Sequence, residues 1–416
     1  MHNTDNETER VILIGVQLEE DDTIKSLDEL AELAKTAGAE TVGRIIQSRE
    51  YAHPSSYIGK GKLDEAKIMI DQLDATGIIC DDELIPAQLK NLEDILDTKV
   101  MDRTMVILDI FAARASTSEG KLQVEMAQLK YRMTRLAGLG TTLSRLGGGI
   151  ETRGPGEKKL ETDRRIIKDR LSKLSNELKE VENHRNVLRA RRVNTTTPVV
   201  AIVGYTNAGK STLLNKLSDA EVLSEDKLFA TLDTTTRSKV LPNGEKVLLT
   251  DTVGFIRKLP HHLIQAFRST LEEAKYADIL VHVVDASNPD CEHQIKTVYE
   301  TLKSLNVEDK PVITLLNKCD ITDGTYILKD EYADATIRIS ARTGYGIDEF
   351  MEKLQDIIME NRIELNKVFS YKDAGKIQLI REYGQLIKEE YTEQGIEVQA
   401  NVPRSVYNQL QERRHT

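Results

Sequence analysis

The first 115 residues alternate between short apolar runs and longer stretches with helical spacing. Residues 11–16 form an apolar run that predicts a buried strand, and residues 23–36 have the spacing of an amphipathic helix that ends before Gly38. Further apolar runs predict strands at 41–48, 77–80 and 105–109, with helices near 63–73 and 87–96. This alternation predicts an α/β domain with a mostly parallel sheet over residues 1–115.

A different apolar pattern follows over residues 116–193. Two stretches place apolar residues alternately three and four positions apart: first Leu122, Met126, Leu129, Met133 and Leu136, then Ile167, Leu171, Leu174, Leu178 and Val181. Such narrow stripes are typical of paired helices, so we predict an antiparallel two-helix hairpin. Seven of the 19 residues from 138 to 156 are glycine, and this segment is predicted to be the connecting loop. The loop is either a surface insertion or a basic tip, with Arg145 and Arg153, that fits an RNA surface.

A third unit is predicted at 194–362, after a short linker at 194–198. Its strands are predicted at 199–203, 238–241, 246–250, 279–285, 312–317 and 336–340, and its helices at 210–217, 260–275, 290–305 and 346–358. Pro242-Asn243-Gly244 predicts a tight turn, so the second and third strands should form an antiparallel hairpin. Residues 363–416 are predicted to be a small α/β appendage with a helix at 376–389.

Charge is unevenly distributed along the chain. The whole chain has 57 Lys and Arg against 68 Asp and Glu, and its net charge of −11 by itself argues against a nucleic-acid partner. Residues 121–193, however, hold 18 basic and 9 acidic residues, so this segment carries +9 and the remainder −20. The asymmetry favours contact with a polyanion, although helices with a solvated basic face would give the same count.

Several classes of protein are disfavoured by composition. The apolar runs are far shorter than the roughly 18–20 residues of a membrane span, and the polar first ten residues do not resemble a secretory signal. Three distant cysteines, Cys80, Cys291 and Cys319, argue against a disulfide framework or a zinc site. We therefore expect a cytoplasmic protein with no membrane span, and a monomer.

The strongest chemical signal lies between a predicted strand and a predicted helix. The phosphate-loop pattern G-x-x-x-x-G-K-S is matched there by Gly204-Tyr205-Thr206-Asn207-Ala208-Gly209-Lys210-Ser211. Backbone N–H groups of such a loop surround phosphate oxygens, and the following helix presents its positive end to them. Lys210 is expected to reach the β- and γ-phosphates, and the Ser211 hydroxyl to bind Mg²⁺.

Three further motifs complete the predicted nucleotide site. A predicted strand ends in Asp251-Thr252-Val253-Gly254, where Asp251 would support Mg²⁺ and the Gly254 amide would contact the γ-phosphate. Another ends in Asn317-Lys318-Cys319-Asp320, and the Asp320 carboxylate can accept two hydrogen bonds from guanine but not from adenine. Ser340-Ala341-Arg342 would close the other edge of the base. The predicted fold class is therefore α/β: an N-terminal α/β domain with a helical hairpin, a P-loop GTPase domain with a mixed six-stranded sheet, and the C-terminal appendage.

The chain as a whole resembles the HflX family of ribosome-associated GTPases. The resemblance spans roughly residues 10 to 400 and is carried by residues 116–125 (S-T-S-E-G-K-L-Q-V-E), 153–157 (R-G-P-G-E), 229–233 (F-A-T-L-D) and 251–256 (D-T-V-G-F-I). It implies GTP hydrolysis, binding to the large ribosomal subunit and its rRNA, and dissociation or rescue of ribosomes under stress. It also implies that nucleotide is bound by Phe229-Ala230-Thr231-Leu232-Asp233. Thr231 would be a catalytic switch residue, together with Lys210 and Gly254, and a Mg²⁺ ligand, together with Ser211. The family more often has proline where this chain has Thr234, which leaves Thr235 as a rival for the switch threonine.

Some features leave alternatives open. Phe255 stands where many GTPases have a water-orienting glutamine, so intrinsic hydrolysis should be slow until the ribosome completes the site. A ribosome-assembly or RNA-binding factor with a slow nucleotide timer is the alternative. Asn207 either holds K⁺ against the phosphates or only caps the loop. Residues 59–62 (G-K-G-K) are either a helix-entry turn or part of an ATP site. His261 and His262 are interpreted as surface or switch-contact residues, because their spacing does not suit a metal.

Overall fold

The chain forms two compact units in the computed structural model. The structure describes residues 8–18, 22–146, 155–193, 197–218, 234–258, 273–307, 309–322, 328–360 and 362–402, with residues 228, 229, 232, 260, 263, 406, 407 and 410. Unit 1 comprises Met1–Glu180, Glu225–Asp233 and Ile256–Ser269, and unit 2 comprises Val181–Ser224, Thr234–Phe255 and Thr270–Thr416.

Unit 1 begins with a four-stranded parallel sheet in the order β2-β1-β3-β4. Its strands are β1 (Arg10–Gln17), β2 (Glu40–Ser48), β3 (Gly77–Cys80) and β4 (Lys99–Asp102). The helices of this region are α1 (Thr23–Thr36), α2 (Lys60–Leu73), α3 (Pro86–Leu96) and α4 (Arg103–Arg114). The central strands β1 and β3 are almost wholly apolar and buried, as expected for a parallel sheet covered on both faces. The predicted α/β fold of this region is confirmed.

The strand predicted at 105–109 is wrong, because these residues lie within helix α4. The true strand, β4, precedes them, and the Asp102 carboxylate caps the helix by accepting the N–H of Met105 at 2.9 Å. The exposed residues of α4 are Asp109, Ala112 and Ala113, so its outer face is mostly alanine and no polar stripe marks the helical period. A short apolar run does not distinguish a strand from a buried helix by periodicity alone.

The predicted helical hairpin is confirmed as α5 (Ser118–Leu146) and α6 (Pro155–Val193). The Arg170 guanidinium of α6 donates to both carboxylate oxygens of Glu125 in α5, at 2.7 and 2.9 Å. The sequence pattern did not reveal a second stripe on α5, in which Val124, Ala127 and Tyr131 are buried. Because α5 also packs against α3 and α4, it has one face for its partner helix and one for the sheet domain.

The loop predicted at 138–156 is shorter than expected. Helix α5 continues through Gly138 and Gly140 to Leu146, and α6 begins at Pro155. Glycine weakens a helix by only about 1 kcal/mol per residue, which good helix formers such as leucine and arginine nearby can offset. Proline is favoured at the first position of a helix, which accounts for the start of α6. Residues 147–154 lie outside the described residues.

Unit 2 is built on a six-stranded sheet in the order β10-β9-β8-β5-β7-β6. Its strands are β5 (Val199–Gly204), β6 (Thr235–Val240), β7 (Lys246–Asp251), β8 (Ile279–Asp285), β9 (Val312–Asn317) and β10 (Ala335–Arg338). The β6–β7 pair is antiparallel and the other described pairs are parallel, so the predicted mixed sheet is confirmed. The described helices are α7 (Lys210–Ser218), α8 (Cys291–Ser304) and α9 (Ile347–Glu360). The helix predicted at 260–275 falls mostly outside the described residues.

The C-terminal part of unit 2 is a three-stranded antiparallel sheet with one helix. Strands β11 (Ile363–Phe369), β12 (Gln385–Thr392) and β13 (Gly395–Val402) take the order β11-β13-β12, and helix α10 spans Ala374–Tyr383. The predicted helix at 376–389 is therefore too long, because residues 385–389 belong to β12. Their Glu- and Lys-rich sequence favours a helix locally, but pairing with β13 makes them a strand.

Among the described residues, no helix combines the length and the apolar character needed to cross a membrane.

Candidate nucleotide-binding site

The loop Gly204–Ser211 joins β5 to α7 and forms a compact turn around the Lys210 side chain. Gly209 has φ +96°, and a Cβ there would lie 2.2 Å from Asn317 Nδ2, so a side chain at this position is excluded both by conformation and by space. Lys210 Nζ donates to the carbonyls of Gly204 at 3.1 Å and Tyr205 at 2.8 Å. Burial lowers the pKa of Lys210 to about 8, while nearby Asp251 acts in the opposite direction. The ammonium is thus held under the loop where an anion would bind.

The hydroxyl of Ser211 meets a buried carboxylate at the end of β7. Ser211 Oγ donates to Asp251 Oδ2 at 2.8 Å, and Asp251 is 1% exposed. Hydroxyl and carboxylate oxygens are the donors that Mg²⁺ prefers, so this pair fits the metal end of the predicted site. Among the described residues, no separate cluster of three His, Cys, Asp or Glu side chains could hold a metal.

The segment after β7 is bonded to the phosphate loop through its backbone. Phe255 N–H donates to the Gly204 carbonyl at 3.1 Å, and Thr206 N–H donates to the Phe255 carbonyl at 2.8 Å. The Phe255 side chain is only 1% exposed and has no hydrogen-bonding group, so it does not orient a water molecule. Thr252 Oγ1 donates to the Ile202 carbonyl at 2.8 Å, and Val253 is buried.

The residues predicted to bind guanine follow β9. Asn317 Nδ2 donates to the Ala208 carbonyl at 2.8 Å, and its Oδ1 accepts the Ala341 N–H at 2.9 Å. Lys318, in the left-handed region with φ +64°, places Nζ 2.7 Å from Asp285 Oδ2. A hydrogen bond from Ser340 lowers the pKa of Asp320, which keeps its exposed carboxylate ionised and free to accept. Thus the structure brings the Asn317–Asp320 and Ser340–Arg342 motifs together.

The remaining predicted site residues take up different positions. Tyr205 and Ala208 are buried, Asn207 is exposed with φ +60°, Cys319 Sγ donates to the Leu316 carbonyl, and Arg342 is exposed. Asp285, the partner of Lys318, was missed by the sequence reasoning. Its position at the carboxyl end of a parallel strand is the signal that could have found it.

The predicted switch segment is only partly described. Ala230, Thr231 and Asp233 lie outside the described residues. Phe229 and Leu232 are buried in unit 1, where the Phe229 ring meets Phe111 of α4 edge to face at 4.8 Å. The rival Thr235 begins β6 and pairs with Asp251 in the sheet ladder.

The turn at residues 59–62 begins helix α2. The Gly59 N–H donates to Gln47 Oε1 at 2.7 Å, and Lys62 Nζ lies 2.7 Å from Glu65. These contacts match the helix-entry interpretation of the segment.

Comparison with known proteins places this site in context. Three family models match: GTP-binding GTPase N-terminal at residues 24–112, GTP-binding GTPase Middle Region at 114–192, and 50S ribosome-binding GTPase at 199–318. A relative named GTPase HflX from Lacrimispora saccharolytica is 62% identical over 97% of this chain and 95% of that protein. The chain belongs to the HflX family of GTPases. It is therefore a GTP-binding protein that hydrolyses GTP, and the resemblance read from its motifs is confirmed.

More distant relatives and structures are also similar to this HflX-family chain. GTPase HflX of Escherichia coli is 40% identical over 84% of this chain and 82% of that protein. The crystal structure of a GTP-binding protein from Sulfolobus solfataricus in complex with GDP is also similar, with 24% sequence identity. The match covers 84% of this chain and 98% of that chain, with a TM-score of 0.45.

Proposed function

We propose that this HflX-family GTPase requires Mg²⁺, binds the large ribosomal subunit in its GTP state, and dissociates or rescues stalled ribosomes under stress in the cytoplasm. The observation that carries the ribosome part is the net charge of +9 on residues 121–193 in a chain of −11. Apart from Glu151 and Arg153, these charged residues lie in helices α5 and α6, and the description of the matched family, a 50S ribosome-binding GTPase, agrees with an rRNA partner.

The basic side chains of α6 are available to a partner. Its exposed residues include Arg164, Arg165, Lys168, Lys173 and Lys179. Arg170 differs, because its guanidinium is engaged by Glu125 within the hairpin. Exposed Lys and Arg side chains displace counterions from phosphates, so binding to rRNA should weaken steeply with salt.

The nucleotide chemistry is assigned to residues of the loop and the strand ends. Ser211 and, by resemblance, Thr231 would hold Mg²⁺ with Asp251 behind them, and the bound metal would neutralise charge on the β- and γ-phosphates. Lys210 would donate to the same phosphates, and Gly254 would offer its N–H to the γ-phosphate. Asp320, kept ionised by Ser340, would accept the N1–H and N2–H of guanine.

Slow intrinsic turnover follows from the same geometry. Phe255 is buried and cannot orient water, so we propose that hydrolysis accelerates when the ribosome supplies or orders the missing group. Phosphate release measured with and without purified large subunits tests this. Equal turnover in the two conditions would contradict ribosomal activation.

The ribosome proposal is tested by sedimentation with ribosomes. The protein should migrate with large subunits in a non-hydrolysable GTP analogue and not in GDP. Reversing Arg164, Arg165 and Lys168 to Glu should abolish co-migration, whereas the same reversal at the exposed Lys275, Lys296 and Lys303 of unit 2 should not. Co-migration that is equal in both nucleotides, or equally lost in both triple variants, would contradict the proposal.

A K⁺ requirement is a further part of the proposal. Asn207 is exposed and held in the left-handed region, so its amide oxygen is accessible at the mouth of the loop. Hydrolysis in KCl should exceed hydrolysis in NaCl at equal ionic strength, and Asn207→Ala should remove the difference. Equal rates in the two salts would leave Asn207 as a loop cap only.

The second candidate function is an RNA-binding or assembly factor with a slow timer, which the buried Phe255 favours. Lys210→Ala distinguishes the two. Ribosome splitting that is lost while RNA binding persists supports the main proposal. Retention of both functions supports the timer.

A further inference from the structure

One hydroxyl in the phosphate loop has no hydrogen-bond partner among the residues that the structure describes. Thr206 is 6% exposed, and its Oγ1 is buried without a hydrogen bond to any described residue. Its backbone is fixed, because the Thr206 N–H donates to the Phe255 carbonyl at 2.8 Å. A buried hydroxyl that makes no hydrogen bond is costly, so this group needs an explanation.

The Thr206 side chain lies at the point where the phosphate-binding groups converge. A Cβ built on Gly254 would lie 2.8 Å from Thr206 Cγ2 and 2.9 Å from Lys210 Nζ. The Thr206 methyl, the motif glycine and the ammonium are therefore close neighbours, and the Thr206 hydroxyl is attached to the same Cβ as that methyl. In a phosphate loop, the lysine reaches the β- and γ-phosphates, and the glycine of D-x-x-G lies at the γ-phosphate.

We propose that the Thr206 hydroxyl donates a hydrogen bond to the γ-phosphoryl group of GTP and that this bond promotes hydrolysis. The proposal rests on GTP binding at Gly204–Ser211. At position 206 the loop motif requires only a backbone N–H near the phosphates, and the proposal adds a hydrogen bond from the side chain. In the reaction, the oxygen of water bonds to the γ-phosphorus, and the bond from that phosphorus to the β–γ bridging oxygen breaks, leaving its electron pair on GDP. One water proton stays on the phosphate and the other passes to solvent. Thr206 is unchanged and stabilises the transferred group.

The chemistry of this position supports a donor. A threonine hydroxyl has one O–H and rotates to suit its partner, and hydrogen bonds to charged oxygens are stronger than neutral ones. Phe255 offers no hydrogen bond to the reacting group, so the hydroxyl of Thr206 supplies one that this segment lacks. GDP has no γ-phosphate and should not depend on this contact.

The test compares Thr206→Ser, Thr206→Ala and Thr206→Val, with Thr301→Val in α8 as a matched control remote from the loop. The Thr301 hydroxyl bonds to the Thr297 carbonyl within its own helix. Three quantities are measured: affinity for GDP, affinity for a non-hydrolysable GTP analogue, and the single-turnover rate of GTP hydrolysis. Thr206→Ala and Thr206→Val should each lower the rate of hydrolysis and the ratio of the affinity for the GTP analogue to the affinity for GDP. The product of these two decreases should be about 10- to 100-fold. GDP affinity should stay unchanged, and Thr206→Ser and Thr301→Val should resemble the wild type.

Four results would overturn the proposal. Wild-type behaviour of Thr206→Val would show that the hydroxyl is dispensable. Wild-type behaviour of Thr206→Ala with a defective Thr206→Val would show a steric effect of the added methyl, and a defect in Thr206→Ser would show that the methyl of threonine matters. Loss of GDP affinity in all three variants would mean that Thr206 only shapes the loop. Failure of the wild type itself to bind GDP would instead remove the nucleotide site on which the proposal rests.

Discussion

Asn317 is hydrogen-bonded to Ala208, and this bond joins the predicted guanine-binding loop to the phosphate loop. The amide Nδ2 donates to the Ala208 carbonyl at 2.8 Å, while Oδ1 accepts the Ala341 N–H at 2.9 Å. Both contacts are buried, and Asn317 itself is 3% exposed. Thus one side chain holds three segments of the site in register.

Replacing Asn317 with alanine should weaken nucleotide binding and stability together. Each buried group left without a partner costs about 1–3 kcal/mol. We expect GDP affinity, measured by fluorescence titration, to fall about 10- to 100-fold, with a lower melting temperature. Asn288→Ala is the control, because the Asn288 side chain bonds only to the nearby Asp290 N–H among its described contacts and should leave GDP affinity unchanged. Equal affinities in both variants would contradict the role of Asn317.

Apolar patterns predicted the elements correctly where they mark either one buried face of a helix or a short strand that is buried on both faces. The helix at 23–36 and the strands at 77–80, 279–285 and 312–317 match the structure to the residue. The pattern failed in α4, whose exposed face is mostly alanine, and in β12, where pairing with a distant strand overrides a local preference for helix. It also missed the second packing face of α5, since the polar and half-buried residues around Tyr131 conceal it.

The site was predictable where a motif has a fixed chemical purpose. The phosphate loop, Asp251 and Asn317 occupy one end of the sheet, as their positions after predicted strands imply. The pairing of Lys318 with Asp285 could not be predicted from local spacing, because it joins two strand ends that are adjacent only in the folded sheet. The unpartnered hydroxyl of Thr206 is likewise visible only once the packing around it is known.

Nucleotide binding should be accompanied by proton uptake at Lys210. Burial lowers the pKa of Lys210 to about 8, with Asp251 acting in the opposite direction. A bound phosphate favours the charged ammonium, so the lysine must regain any proton it has lost. We expect uptake of about half a proton per GDP near pH 8 and about a tenth near pH 7. Calorimetric titration in two buffers of different ionisation enthalpy measures this quantity.

The control for this prediction is Lys210→Arg, since arginine stays charged throughout this range. At concentrations that saturate the variant with GDP, uptake near pH 8 should fall close to zero. If the variant takes up as many protons as the wild type, another group is responsible and Lys210 keeps its charge in the free protein.

Asp81 should be a principal stabilising charge of unit 1. Its buried carboxylate accepts from Arg103 at 2.6 Å, Lys258 at 2.7 Å and Ser26 at 2.7 Å. Burial alone would raise the pKa of Asp81, but Arg103 and Lys258 more than offset this and hold it below its ordinary value. A carboxyl with a lowered pKa stabilises the fold above its unfolded pKa, and this stabilisation is lost as pH falls through the folded pKa.

Asp81→Asn should therefore be strongly destabilising, because it leaves the buried Arg103 with less compensating charge. The expected cost is about 3–5 kcal/mol at neutral pH, measured by hydrogen exchange of the β1 and β3 amides. Lys258→Met should cost less, since the Lys258 side chain is 27% exposed. If Asp81→Asn keeps the hydrogen-exchange protection of the wild type, then Glu29, which also pairs with Arg103, is sufficient to compensate the buried charge of Arg103.

A buried histidine should make the stability of unit 2 fall in mild acid. His282 of β8 is 1% exposed, and its Nδ1 lies 3.6 Å from Asp330 Oδ2. Burial lowers the pKa of His282, while Asp330 acts in the opposite direction. Burial would raise the pKa of Asp330, but the nearby His282 and hydrogen bonds from Thr314 and Tyr299 hold it at about 2, so Asp330 stays ionised through this range.

Between its ordinary pKa of about 6.5 and its lowered pKa in the fold, His282 is protonated in the unfolded chain but neutral in the folded protein. Stability is therefore intact above that pH and is lost as pH falls toward the lowered pKa, by up to about 1.4 kcal/mol per pH unit. Because other carboxyls also titrate in acid, the readout is a difference between proteins. Between pH 7 and pH 5.5, the free energy of unfolding should fall more in the wild type than in His282→Gln, by up to about 1 kcal/mol, measured by hydrogen exchange of the β8 and β9 amides. Equal losses in the two proteins would show that His282 takes up its proton without unfolding.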